Sequence, residues 1–211
     1  GEPYRLCRID MLQRPWDPLY VRVNPLLKTP ALLLEDGRTL SESLAILLHL
    51  ASRHPESELG VSRSRADADA LNQMLAYLVT DFFSAFSPLW AAYDREDLDE
   101  GQKKLLRALG REDVAQQCVY LDGLLRDREW LLGSRRSVAD AYLSGLARWI
   151  GYHKLFDVER DYPHLARHLR KLAADPAVVF ARHIEDGVAA RSTGRFLGHV
   201  TLEELRPLLA A

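Results

Sequence analysis

The chain has 211 residues, 47% of them hydrophobic, with 28 basic and 30 acidic side chains and a net charge of −2. That is enough apolar material for one large core or two small ones, and the near-neutral charge excludes a basic face for nucleic acid. Its two cysteines, Cys7 and Cys118, cannot build a disulfide framework, so a reducing compartment, the cytoplasm, is expected. No uninterrupted apolar run approaches the roughly 20 residues of a bilayer span and no secretory leader is visible, so no membrane partner is expected.

In chain order, Tyr4 to Ile9 predicts a strand, and residues 17–24 a short helix that ends where Asn24 meets Pro25. Pro30 then precedes an apolar strand, Ala31 to Leu34, and Glu35-Asp36-Gly37 turns the chain back as a β-hairpin. Ser41-Glu42-Ser43 opens an apolar helix that runs to about Arg53. Helix N-termini present unpaired N–H groups and the positive end of the helix dipole, so this start can hold a small carboxylate. Taken singly, Ser43 is an N-cap worth about 1 kcal/mol, Glu42 and Lys28 are solvated charges, and Pro30 shapes a turn. Their order and spacing together point to a ligand.

Polar residues from His54 to Ser64 read as a linker. The expected division is a first domain over residues 1–54, a linker over 55–63, a helical domain over 64–186 and an extension over 187–211. Leu71, Leu75, Leu78, Phe82, Phe86 and Leu89 recur at steps of three and four and predict a long helix over 64–92. Leu105, Leu109, Val114, Cys118, Leu121 and Leu125 predict another over 99–127, which makes Cys118 a core thiol rather than a nucleophile. The aromatic run Tyr77, Phe82, Phe83, Phe86, Trp90 and Tyr93 is mostly core on this pattern.

After Leu131-Leu132-Gly133, Ser137-Val138-Ala139-Asp140 forms a capping box, in which Asp140 stabilises a helix start and does no chemistry. His164 and His168 share a helix face, but no third ligand has a fitting spacing and no metal is expected. No phosphate-binding glycine loop occurs. A second capping box, Thr201 to Glu204, precedes Leu205, Leu208 and Leu209 and predicts a short amphipathic helix that packs back on the body or covers a ligand cleft.

The segment Asn24-Pro25 through Ser43 resembles the glutathione-binding half of the cytosolic glutathione transferases, and Trp130-Leu-Leu-Gly133 with Ser137-Val-Ala-Asp-Ala-Tyr142 resembles their helical half, the bacterial beta-like classes most of all. The resemblance extends to about residue 186 and implies a thioredoxin-like α/β domain followed by an all-helical domain. It implies a cis peptide before Pro30, backbone pairing of Thr29 with the cysteinyl part of glutathione, Glu42 and Ser43 at the γ-glutamyl end, and Lys28 near the glycyl carboxylate. Leu27 stands where the family has glycine and Thr29 where it has valine; further on, Phe83 and Ser84 stand where beta-like enzymes carry histidine and lysine.

The family's thiol-activating residue lies in a loop between a first strand and helix that the resemblance places upstream of Gly1, so no catalytic residue is named here. Without those elements, the strand at Tyr4 to Ile9 and the hairpin are expected to lack a neighbour, and an upstream segment is expected in the biological chain. The implied activity is conjugation of glutathione, as co-substrate, to a hydrophobic electrophile by a homodimer. A glutathione-dependent disulfide reductase and a non-catalytic scaffold on the same fold are the alternatives.

Overall fold

The computed structural model describes residues 3–11, 15–57, 59–60, 65–192 and 194–209. In chain order the elements are β1 (Pro3–Leu6), α1 (Tyr20–Val23), β2 (Ala31–Leu33), β3 (Thr39–Ser41), α2 (Ser43–Arg53), α3 (Arg65–Tyr77), α4 (Ser87–Asp94), α5 (Glu100–Leu125), α6 (Val138–Leu146), α7 (Arg148–Tyr152), α8 (Val158–Asp161), α9 (Pro163–Ala173), α10 (Pro176–Glu185), β4 (Arg195–His199) and α11 (Leu202–Leu209). They form two compact units: residues 1–54 together with 180–211, and residues 55–179. Several of the residues expected to form the linker, residue 58 and residues 61–64, lie outside the described residues.

In the first unit, β2 and β3 form an antiparallel hairpin with Ala31 opposite Ser41, Leu32 opposite Leu40 and Leu33 opposite Thr39. Leu34 N–H donates to Arg38 O at 2.9 Å and Gly37 N–H to Leu34 O at 3.0 Å, closing the turn on a left-handed Gly37. The expected strand at Tyr4 to Ile9 is shorter, and it does have a neighbour. β1 pairs in parallel with β4, Tyr4 opposite Phe196 and Leu6 opposite His199, and Val200 N–H extends the ladder to Leu6 O at 3.0 Å. A parallel pair needs a long crossover, and here the whole helical unit separates the two strands in sequence. The extension therefore carries a strand as well as the expected helix, and Thr201 and Glu204 cap that helix reciprocally at 2.8 and 3.3 Å.

The regular elements described in the second unit are all helical. The predicted helix over 64–92 is α3 and α4 joined through a π turn, Leu78–Phe83, and a 3-10 turn, Ser84–Phe86. By length and composition alone the run Ala66–Asp94 is apolar enough to cross a membrane. Within this unit, however, Leu71, Leu75, Leu78, Phe82, Phe86 and Leu89 from that run are buried core residues. α4 crosses α5 closely at Gly110, where a Cβ would sit 2.7 Å from Leu89 Cγ. α5 starts on a capping box between Asp99 and Gln102, and its Asp122 carboxylate accepts the first N–H groups of α9 from His164 and Leu165 at 2.7 and 2.9 Å. Cys118 is fully buried, and burial with Asp122 nearby pushes its thiol up to about 12.

Asp140 does more than cap. Its carboxylate is fully buried and accepts Ser137 N–H at 2.8 Å and Leu131 N–H at 3.0 Å, while His168 Nε2 sits 3.1 Å from Oδ1, poorly aligned for a hydrogen bond. One carboxylate thus ties the loop before α6 and the middle of α9 to the start of α6. His168 faces Asp140 and is 2% exposed, so it does not share a metal face with His164, and no metal-ligand cluster occurs among the described residues.

Burial raises the Asp140 pKa, but the contact with His168 and the two N–H donors outweigh it and hold the carboxyl below its ordinary 3.8. With the folded value lowered, the contribution is complete above pH 3.8 and is lost as pH falls below it through the folded value. Asp140→Asn is expected to destabilise the helical unit by about 3 kcal/mol. Denaturant unfolding at pH 7 and pH 3 measures this, and the gap between variant and parent should shrink at the lower pH.

Candidate glutathione-binding site

The hairpin register brings the expected site residues together. Ala31 lies opposite Ser41, so the residues just before one and just after the other, Thr29-Pro30 and Glu42-Ser43, meet at one end of the ladder. The Thr29–Pro30 peptide is cis. α1 holds the approach to it, since Tyr20 Oη and Asn24 Nδ2 both donate to the Lys28 carbonyl, at 2.7 and 2.8 Å, from buried positions. Asn24 Oδ1 accepts Leu26 N–H at 3.0 Å, and Thr29 Oγ1 approaches Met11 Sδ at 3.1 Å. Lys28, Thr29, Pro30 and Glu42 are exposed and Ser43 is half-buried.

The helix start differs from the sequence reading in one respect. Glu42, not Ser43, is the N-cap residue of α2, no side chain caps the helix there, and Ser43 is its first residue. Glu42 has φ +69° and ψ 118°, a left-handed conformation that costs a non-glycine residue on the order of 1–3 kcal/mol. Leu27, in the position where the family has glycine, has φ +52°. Leu27 thus holds a left-handed conformation that glycine adopts freely. Neither strain was legible in the sequence, because a leucine and a glutamate carry no signal for positive φ. This end of the ladder carries the cis-linked Thr29 backbone, the N-terminus of an eleven-residue helix and the Glu42 carboxylate. Those groups suit a small zwitterionic peptide.

The helical unit carries a second feature of its own. Phe83, Tyr93 and Tyr152 are 41, 62 and 53% exposed around a half-buried Trp90 and Trp149. Phe83 and Trp90 each lie 5.2 Å from Trp149, Trp90 stacks on Tyr152 at 5.3 Å, and His153 meets Trp90 edge-on at 4.5 Å. Burial lowers the His153 pKa, against an opposing pull from Asp94, so the ring is neutral near pH 7. Phe83 and Trp90 were among the sequence-expected aromatics, whereas Trp149, Tyr152 and His153 were not. Their spacing of three and four along the chain was the available signal. The expectation that this run is mostly core holds for Phe82 and Phe86 but not for Phe83 or Tyr93, which form an aromatic shelf.

A thioredoxin-like unit with a cis-proline loop beside a helix start, together with an all-helical unit, is the fold of the chain. Family models described as "Glutathione S-transferase, N-terminal domain" and "Glutathione S-transferase, C-terminal domain" match residues 1–53 and 73–176. The chain is 30% identical over 180 residues to glutathione S-transferase GstA of Escherichia coli O157:H7, covering 84% of this chain and 85% of that protein. Among solved structures it resembles a sphingomonad glutathione S-transferase complexed with glutathione at 32% identity and TM-score 0.71, with 86% of each chain covered. It also resembles the beta-class enzyme of Sphingomonas chungbukensis at 29% identity and TM-score 0.72, again with 86% of each chain covered. The chain belongs to the cytosolic glutathione transferase superfamily.

Glu42→Gly separates strain from recognition. Glycine adopts the Glu42 conformation freely, so the variant is expected to keep or gain up to about 1 kcal/mol of stability. If the glutamate carboxylate contacts ligand, the same variant should bind glutathione about tenfold more weakly. Thermal unfolding and calorimetric titration of the one protein read both quantities.

Proposed function

We propose that this protein is a glutathione transferase. The observation that carries the reading is the hairpin register, which sets Thr29 and Pro30 beside Glu42 and Ser43. In this reading the Thr29 backbone pairs with the cysteinyl residue of glutathione and Lys28 neutralises the glycyl carboxylate. Glu42 and the N–H groups at Ser43 take the γ-glutamyl ammonium and carboxylate. A cysteine residue held at both neighbours presents its sulfur in one direction, and positioning of this kind lowers the barrier by making the encounter intramolecular. The ionised sulfur attacks the electrophilic carbon, a C–S bond forms, and the leaving group departs with its electron pair.

The aromatic shelf of the helical unit supports a flat apolar electrophile, because aromatic side chains favour stacked and edge-on partners over aliphatic ones. Phe83 in place of the beta-like histidine favours apolar over polar co-substrates. The resemblance further supports a cytoplasmic homodimer, in keeping with the free thiols Cys7 and Cys118.

Ser43→Ala and Glu42→Ala, checked as folded, are expected to weaken glutathione binding by about ten- to hundredfold, the loss of one charge-assisted hydrogen bond. Unchanged affinity in both removes the assignment. An aromatic-halide conjugation assay run beside a disulfide reductase assay distinguishes transferase from reductase, and binding with neither activity marks a non-catalytic member. Light scattering at micromolar concentration is expected to give twice the 24.0 kDa chain mass, from an interface of at least about 1,200 Å²; a monomer contradicts the dimer.

A further inference from the structure

The extension beyond α10 reaches the elements that shape the glutathione loop. β4 completes a parallel pair with β1, and Phe196 packs between Tyr4 at 5.5 Å and Phe180 at 5.3 Å. Val200 buries its side chain and donates its N–H to Leu6. α11 then packs on α1, the element whose Tyr20 and Asn24 hold the Lys28 carbonyl. Its far end presses on the hairpin turn, where a Cβ on Gly37 would sit 2.9 Å from Leu208 O.

The rest of the first unit cannot do this alone. Among the described residues its two sheets have two strands each, and such pairs are marginal in isolation. Most apolar residues of α2 are only half-covered. Two of the few buried apolar residues in the unit, Phe180 and Val200, come from the C-terminal part of the chain.

We propose that residues 195–209 form a strap that holds the Lys28–Pro30 loop and the hairpin in their binding conformation, so that glutathione affinity depends on its docking. Among the described residues the strap reaches the loop through α1 and the hairpin turn, which makes Val200 and Leu205 positioning residues. The inference rests on the glutathione reading of that loop. When the strap is undocked, only the fraction of molecules with an ordered loop binds, and the apparent affinity falls by that fraction.

The test uses the full chain. Val200→Pro removes the N–H that bonds Leu6, and Leu205→Ala trims a half-buried leucine of α11. Glutathione affinity is measured by calorimetry, amide exchange is followed at Leu27 and Leu34, whose N–H groups bond Asn24 O before the loop and Arg38 O across the hairpin turn, and the helical unit is monitored by its tryptophan fluorescence. Both variants are expected to exchange faster at these amides with the helical unit intact. Val200→Pro is expected to lose about tenfold in affinity and Leu205→Ala several-fold, while Leu205→Met retains it.

Faster exchange in residues 195–209 with affinity held within about twofold of the parent overturns the strap. Should Val200→Pro unfold the whole chain, Leu205→Ala decides by the same two outcomes. A parent that does not bind glutathione sinks the site assignment instead. The strap is then judged at Leu27 and Leu34, where faster exchange in the variants supports it and unchanged exchange overturns it.

Discussion

The three-rung ladder between Ala31–Leu33 and Thr39–Ser41 sets Thr29-Pro30 beside Glu42-Ser43, and the candidate site depends on it. Strand register is discrete, and a slip by one residue would turn each side chain to the opposite face and part Pro30 from Glu42. The ladder is short and its residues are only half-buried, so it does not hold its register by burial alone. Three supports flank it: the Gly37 turn, α1 gripping the Lys28 carbonyl, and α11 against the turn. The strained Glu42 follows from the same geometry. The chain leaves β3 and enters α2 within one residue, and it turns that corner with a left-handed step at Glu42.

The two units are stabilised by different means. The helical unit is built on a dense apolar core and one buried carboxylate, Asp140, which gathers α6, α9 and the loop before α6. Breaking such a cluster leaves a charge without partners in a dry interior, and this makes it a point of failure. The first unit has few buried side chains and depends on elements brought from both ends of the chain. Local opening is drawn from such thinly packed regions, and a ligand site there gains adaptability at the expense of stability.

What the sequence revealed divides along the range of the interactions. Helices α2 and α5 and the boxes at Ser137–Asp140 and Thr201–Glu204 are written in residues three or four apart, and they form where expected. The hairpin was legible because a proline, an apolar run and a Glu-Asp-Gly turn are contiguous. β4 was not, because Arg-Phe-Leu-Gly-His has little alternation and its partner, β1, lies at the opposite end of the chain. The Asp140–His168 contact joins separate helices and leaves no periodic trace; the sequence showed His168 only as sharing a helix face with His164. In the candidate site the residue identities were legible from their order, but the conformations of Leu27 and Glu42 were not. The aromatic shelf was half visible, since its α4 side falls in one aromatic-rich stretch whereas Trp149 and Tyr152 join it only through tertiary packing.

The central claim is that one end of the hairpin is where glutathione binds. Amide chemical-shift mapping on the isotope-labelled full chain tests it most directly. Addition of glutathione is predicted to shift Thr29, Glu42 and Ser43 first, with changes fading along β2 and α2 and little change around Asp140. Shifts that miss Thr29 and Ser43, or that cluster on the helical unit alone, would contradict the account.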